Sequence, residues 1–97
     1  MKFMVTQVHA PHDCPSDEPE LLRTLGHAFS DAEATKKGVK LRGAYIAPLE
    51  HTFFFVLEAE SLAKVTDFLK PAAKLGTAKV TPVDEFQMVV RQLTQLH

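Results

Sequence analysis

The segment HTFFFVLEA, residues 51–59, constrains the fold more than any other stretch of the chain. It is rich in aromatic and aliphatic residues, contains no breaker, and reads as a strand. Side chains alternate across a strand, so His51, Phe53, Phe55 and Leu57 point one way and Thr52, Phe54, Val56 and Glu58 the other. Both faces are therefore apolar through the middle. Helices can cover one face of a sheet built around such a strand. An uncovered second face holding Phe or Val would be an unusually large apolar patch for a monomer. Packing two sheets face to face across a two-fold axis would cover it, so a homodimer through the sheet face is expected.

The remaining elements follow from periodicity and breakers. Residues 2–10, KFMVTQVHA, read as a first strand. Residues 11–19, PHDCPSDEP, form a polar turn, because proline lacks the N–H that a central strand needs. Asp17 followed by Glu20 fits a capping box. Leu21, Leu25, Ala28, Phe29 and Ala32 then recur at helical spacing, with a helix end near Lys36–Lys37 and Gly38 in the left-handed position after it. Val39 to Ala47 is a second strand, and Pro48 to Glu50 turns the chain into the third. Ser61 caps a second helix with the stripe Leu62, Val65, Phe68 and Leu69, which Pro71 perturbs or ends. Thr77 to Val83 is a fourth strand. Asp84 caps a short amphipathic tail helix carrying Phe86, Val89, Val90 and Leu93.

The order β-α-β-β-α-β specifies an α+β, ferredoxin-like domain over residues 1–97: a four-stranded antiparallel sheet, two helices on one face and a short C-terminal helix. Right-handed crossovers place the first and third strands side by side in the centre. A chain of 97 residues suits one domain. Its formal net charge of −1 offers no basic excess for nucleic acid or an anionic membrane, and no apolar run approaches the roughly 20 residues of a membrane span. The N-terminal segment reads as a strand rather than a signal peptide. Cys14 is the only cysteine, which rules out an intrachain disulfide and makes a reducing cytoplasm the default compartment.

The chemistry-bearing residues converge by topology. His9 closes the first strand and His51 opens the third. Antiparallel neighbours bring those two ends together although the histidines are 42 positions apart. A one-residue slip in register would separate them. His12 and Cys14 follow directly in HAPHDC, with Asp13 between them, and Glu50 precedes His51. Imidazole and thiolate are ligands for zinc, nickel or copper, and such binding weakens below about pH 6. The competing reading is a polar loop at the mouth of a sheet, with His9 hydrogen-bonded at a strand end and His12 solvated. Cys14 can also be read as a reactive thiol three residues before the helix cap, or as a small hydrophobe.

Other candidates are weaker. Gln7 and Thr6 are polar residues inside a central strand, and whichever points inward needs a partner or lines a cavity. Tyr45, with Arg42 near it, is a pocket-lining candidate beside Phe53 and Phe55. His27, Glu58, Glu60 and the cluster Lys36, Lys37, Lys40 and Arg42 read as solvated.

The opening KFMVTQVH, the hairpin GVKLRGAYIAPLEHTFFFVLEA, the helix SLAKVTDFLKP and the closing AKVTPVDEF together resemble the dimeric α/β-barrel superfamily, and within it small uncharacterised families of the DUF4242 and DUF3303 type. The resemblance covers nearly the whole chain. It implies dimerisation through the sheets and a ligand or metal site, since some DUF4242-type relatives are nickel binders. It carries over no catalytic residue.

Three functional readings remain. The first is a metal-binding protein with His9, Cys14 and His51 as ligands and His12 or Glu50 completing or orienting the site. The second is a cofactor-free monooxygenase- or isomerase-like enzyme, with a histidine base in an apolar cavity lined by Phe53, Phe55 and Tyr45. The third is a regulatory or structural dimer whose histidines lie exposed and apart.

Overall fold

A computed structural model describes residues 1–96; the terminal His97, given no role by the sequence, lies outside the described residues. Four strands, β1 (Lys2–His9), β2 (Val39–Ala47), β3 (Thr52–Ala59) and β4 (Gly76–Val83), form one sheet in the order β2-β3-β1-β4. Every neighbouring pair is antiparallel. The helices are α1 (Pro19–Ala28), α2 (Asp31–Lys36), α3 (Leu62–Leu69) and α4 (Phe86–Gln95). This is the α+β, ferredoxin-like arrangement that the sequence predicts. Among the described residues no helix is long and apolar enough to cross a membrane.

Alternation assigns the faces. On β1, Phe3, Val5, Gln7 and His9 are all buried. Their neighbours on β3 are Leu57, Phe55 and Phe53, which share their face. Leu25 of α1, Ala34 of α2 and Val65, Phe68 and Leu69 of α3 complete this core. Phe29 joins the layers, its ring centroid 4.9 Å from Phe55 and 5.4 Å from Phe68. Such tilted and edge-on contacts add about 0.5–1.5 kcal/mol each beyond area burial. The opposite face of the sheet is open. There Met4 is 52% exposed, Val8 51% and Phe54 38%.

Three helix boundaries differ from expectation. The first helix does not run unbroken to Lys37. It stops at Ala28, and Ser30 caps a second helix, accepting from Glu33 N–H at 3.3 Å while its hydroxyl donates to His27 O at 2.8 Å. The Ser-x-x-Glu spacing at 30–33 is itself a capping signal, and it outcompetes the continuing apolar stripe. At the front, Asp17 lies in a 3₁₀ turn, Pro15–Asp17, and the helix begins at Pro19 without a side-chain cap. Proline at a first helical position needs no partner for a missing N–H. At the tail, Glu85 rather than Asp84 precedes α4.

A bulge in β2 decides the fate of Tyr45. Leu41 pairs with Leu57 and Gly43 with Val56, so Arg42 is an extra residue. The alternation shifts by one there. Ala44 and Ile46 then pair with Phe55 and Phe53, and Tyr45 pairs with Phe54 on the open face. Its ring lies over Gly43, where an added Cβ would come within 2.8 Å of Tyr45 Cε2. Arg42 itself is drawn to Glu58, whose carboxyl it holds below the usual range.

Gly76 fixes the approach of β4 to the end of β1. It pairs with His9, and a Cβ there would stand 1.9 Å from Val8 O and 2.7 Å from His9 Cα. Both obstacles are backbone, so the strands themselves would have to part. Gly76→Ala is therefore expected to destabilise the protein by about 1–3 kcal/mol, the range for forced overpacking. Urea unfolding of the two proteins checks this.

Candidate metal centre

The site stands at the end of the β1–β3 ladder. One step past the Val8–Thr52 pair, His9 N–H donates to His51 O at 3.0 Å. His9 is 3% exposed. Its ring packs against Phe53 at a centroid distance of 4.9 Å, and its Nδ1 lies 3.4 Å from Gln7 Oε1. Its Nε2 is buried with no hydrogen-bond partner.

His51 does not open the third strand as an extended residue. It ends the 3₁₀ turn Pro48–Glu50 in the left-handed region, at φ 51° and ψ 45°, and β3 begins at Thr52. A non-glycine residue there costs about 1–3 kcal/mol and persists only where the surroundings enforce it. Here His51 N–H donates to Pro48 O at 3.2 Å and His51 O accepts from His9. The ring of His51 stands edge-on to His9, centroids 5.7 Å apart, and its Nδ1 is buried and unpartnered as well.

Cys14 arrives from the proline-rich turn. Pro11 and Pro15 each begin a 3₁₀ turn, and Cys14 is the extended residue between them. The two turns fold this segment back over the sheet end. Cys14 Sγ lies 3.0 Å from Ser16 Oγ. Hydrogen bonds from the Ser16 side chain and backbone are the main cause that lowers the thiol pKa to about 6. The helix begins too late to act on the thiol, so the sequence-based appeal to a helix N-terminus is replaced by these direct donors.

One ligand atom from each of His9, Cys14 and His51 lies within 4.8 Å of the other two, a grouping that could hold a metal ion. Around a tetrahedral zinc, N–N and N–S separations are about 3.3–3.6 Å, from bond lengths of roughly 2.0–2.3 Å. The group is thus about 1–1.5 Å wider than a closed shell at its widest. Cys14 and His51 are only partly buried, which leaves them room to close.

The other sequence candidates lie elsewhere. His12 stays outside the group: its side chain is 82% exposed and pairs with Asp13 at 3.3 Å. The turn that returns Cys14 to the sheet carries His12 to solvent. Glu50 is exposed, and it is its carbonyl that is used, accepting from Thr52 Oγ1 at 2.7 Å. Gln7 is buried, donating to Ala72 O at 3.2 Å. Phe53 and Phe55 line an apolar groove of about 270 Å³ against Leu22, Leu25 and Phe29, with Tyr45 contributing from the open-face side of β2. No histidine lines that groove. Sequence reasoning missed Ser16, although the spacing Cys-Pro-Ser places a hydroxyl two residues from the thiol.

The Ser16 contact has a direct readout. In metal-free protein, the rate of Cys14 alkylation by iodoacetamide is expected to rise with a midpoint near pH 6. Ser16→Ala should move that midpoint up towards the ordinary thiol range near 8.5. An unchanged midpoint would remove Ser16 as the principal cause.

No curated protein matches this chain. Over residues 1–97 it matches the family model described as a domain of unknown function, DUF3303, and the chain belongs to that family.

Proposed function

We propose that this chain is a small transition-metal-binding protein whose ion is held by His9 Nε2, His51 Nδ1 and Cys14 Sγ. The observation that carries the reading is a pair of buried, unpartnered imidazole nitrogens beside a thiol whose pKa is lowered to about 6. A buried polar atom left unsatisfied costs about 1–3 kcal/mol. Two of them weigh heavily against a total stability of roughly 5–15 kcal/mol. An ion that accepts both lone pairs and the thiolate offsets that cost. Two nitrogens and one sulfur suit zinc, nickel or copper rather than magnesium or calcium. Three protein ligands leave a coordination position for water or a small molecule, and a bound ion would supply Lewis acidity there.

The rival readings have less support. A cofactor-free enzyme needs a base in its cavity, and neither His9 nor His51 lines the apolar groove. A dimer without chemistry needs histidines exposed and apart, whereas His9 is buried and its ring centroid is 5.7 Å from that of His51.

We further propose that a second copy covers the open sheet face. Met4, Val8 and Phe54 give that face the apolar character of an interface core. Light scattering at micromolar concentration is expected to give twice the chain mass, and Phe54→Glu to give a monomer. A monomeric parent protein would end this claim.

The metal reading is tested on untagged protein by elemental analysis and by calorimetry with zinc, nickel and copper. About one ion per chain is expected. His9→Ala and Cys14→Ser should weaken binding by at least about tenfold. His51→Gly is a sharper variant, because glycine accepts the left-handed backbone and the fold should persist while the ligand is lost. Binding requires thiolate, so affinity should fall as pH drops through about 6 and level off above it. Undiminished binding of all three metals by His9→Ala and His51→Gly would overturn the proposal.

A further inference from the structure

We propose that Gln7 is a positioning residue that fixes the tautomer of His9, holding the proton on Nδ1 so that Nε2 presents its lone pair; the consequence for metal rests on the centre proposed above. Gln7 and His9 are two residues apart on β1 and share its buried face. The amide of Gln7 has a donor end and an acceptor end. Its nitrogen is committed to Ala72 O at 3.2 Å, and a carbonyl oxygen can only accept. The amide is therefore not free to flip, and the end facing His9 Nδ1 at 3.4 Å must be the oxygen Oε1.

An oxygen in that place needs a donor opposite it. A bare Nδ1 would set two lone pairs against each other inside a site where Gln7 is 2% exposed and His9 3%. Nδ1 therefore carries the proton. In the neutral ring this leaves Nε2 without one, and Nε2 is the buried nitrogen with no partner. The bare lone pair and the unpartnered position thus coincide at one atom. Metal-binding histidines commonly give their other ring N–H to such an acceptor, which orients the ring. The acceptor here is itself anchored to the 3₁₀ turn Lys70–Ala72 that follows α3, so ring orientation is tied to the helical layer.

The test is the two-bond ¹H–¹⁵N spectrum of the histidine rings in metal-free protein at about pH 8, joined to zinc titration. The parent protein should show His9 protonated at Nδ1. Gln7→Met keeps the shape and removes both hydrogen bonds. It should release His9 to a tautomer mixture and weaken zinc binding about 10–100-fold. Gln7→Glu keeps an acceptor for Nδ1–H and should retain the parent tautomer, with a smaller loss of zinc affinity than Gln7→Met. A purely packing role for Gln7 would leave the tautomer unmoved in Gln7→Met, and that result overturns the proposal. So does a parent spectrum with the proton on Nε2, which needs no variant to fold. A parent protein with the proton on Nδ1 that binds no zinc upholds the Gln7–His9 pairing and overturns the metal centre.

Discussion

The antiparallel pairing of β1 with β3 is the constraint on which the rest of this structure depends. It sets Phe3, Val5 and Gln7 opposite Leu57, Phe55 and Phe53, and so determines which residues face the helices. Its last bond, from His9 N–H to His51 O, joins the two histidines through their backbones before any side-chain chemistry is considered. A slip of one residue would turn Phe53, Phe55 and Leu57 outwards and bring Phe54, Val56 and Glu58 in. Burying Glu58 in place of Leu57 would place a charge in the core, which costs several kcal/mol. The hydrophobic register and the placement of the site are thus one constraint. The core cannot be correct while the histidines are apart.

Much of this was legible in the sequence, and the limits have physical causes. Strand order and the meeting of His9 with His51 follow from period-two patterning and crossover handedness, both of which are strong signals. The break at Phe29–Ser30 was hidden because apolar residues at 21, 25, 28, 29 and 32 keep helical spacing across it. A single hydroxyl serving as both donor and acceptor decides that boundary. The bulge at Arg42, which pairs Tyr45 with Phe54, is marked by no composition rule. In the site, topology could bring His9 and His51 together. The separation of Cys14 from His12 depends on two consecutive 3₁₀ turns, whose exact path is a matter of local geometry rather than periodicity.

The burial of the site differs sharply from that of an ordinary strand end. Loop-proximal histidines are usually solvated, and a solvated imidazole loses nothing by lacking a protein partner. His9 is held under Phe53 and beside Gln7, out of reach of bulk water, so each ring nitrogen needs a specific partner. Gln7 serves one nitrogen. The sulfur of Cys14 approaches from the more open side, where Ser16 stabilises its anionic form. The site is therefore asymmetric, with a buried nitrogen donor on the sheet and a more exposed sulfur donor on the turn.

Departures from ordinary folding rules in this molecule are concentrated at that same sheet end. His51 is the only non-glycine residue with positive φ among the described residues. Both of the unpartnered buried side-chain atoms found among them belong to His9 and His51. Gly76, the glycine whose added Cβ would meet backbone most closely, stands opposite His9. Elsewhere, the bulge at Arg42 apart, Ser30 and Ser61 cap helices, Gly38 ends one and apolar faces meet in the core. A backbone strain of about 1–3 kcal/mol and two orphaned nitrogens at a similar cost each are a large share of the stability a chain of this size can hold. Independent accidents of packing would be scattered over the sheet. Their clustering around one small volume is what a site with a structural cost looks like, and the donors lining that volume are two nitrogens and a sulfur.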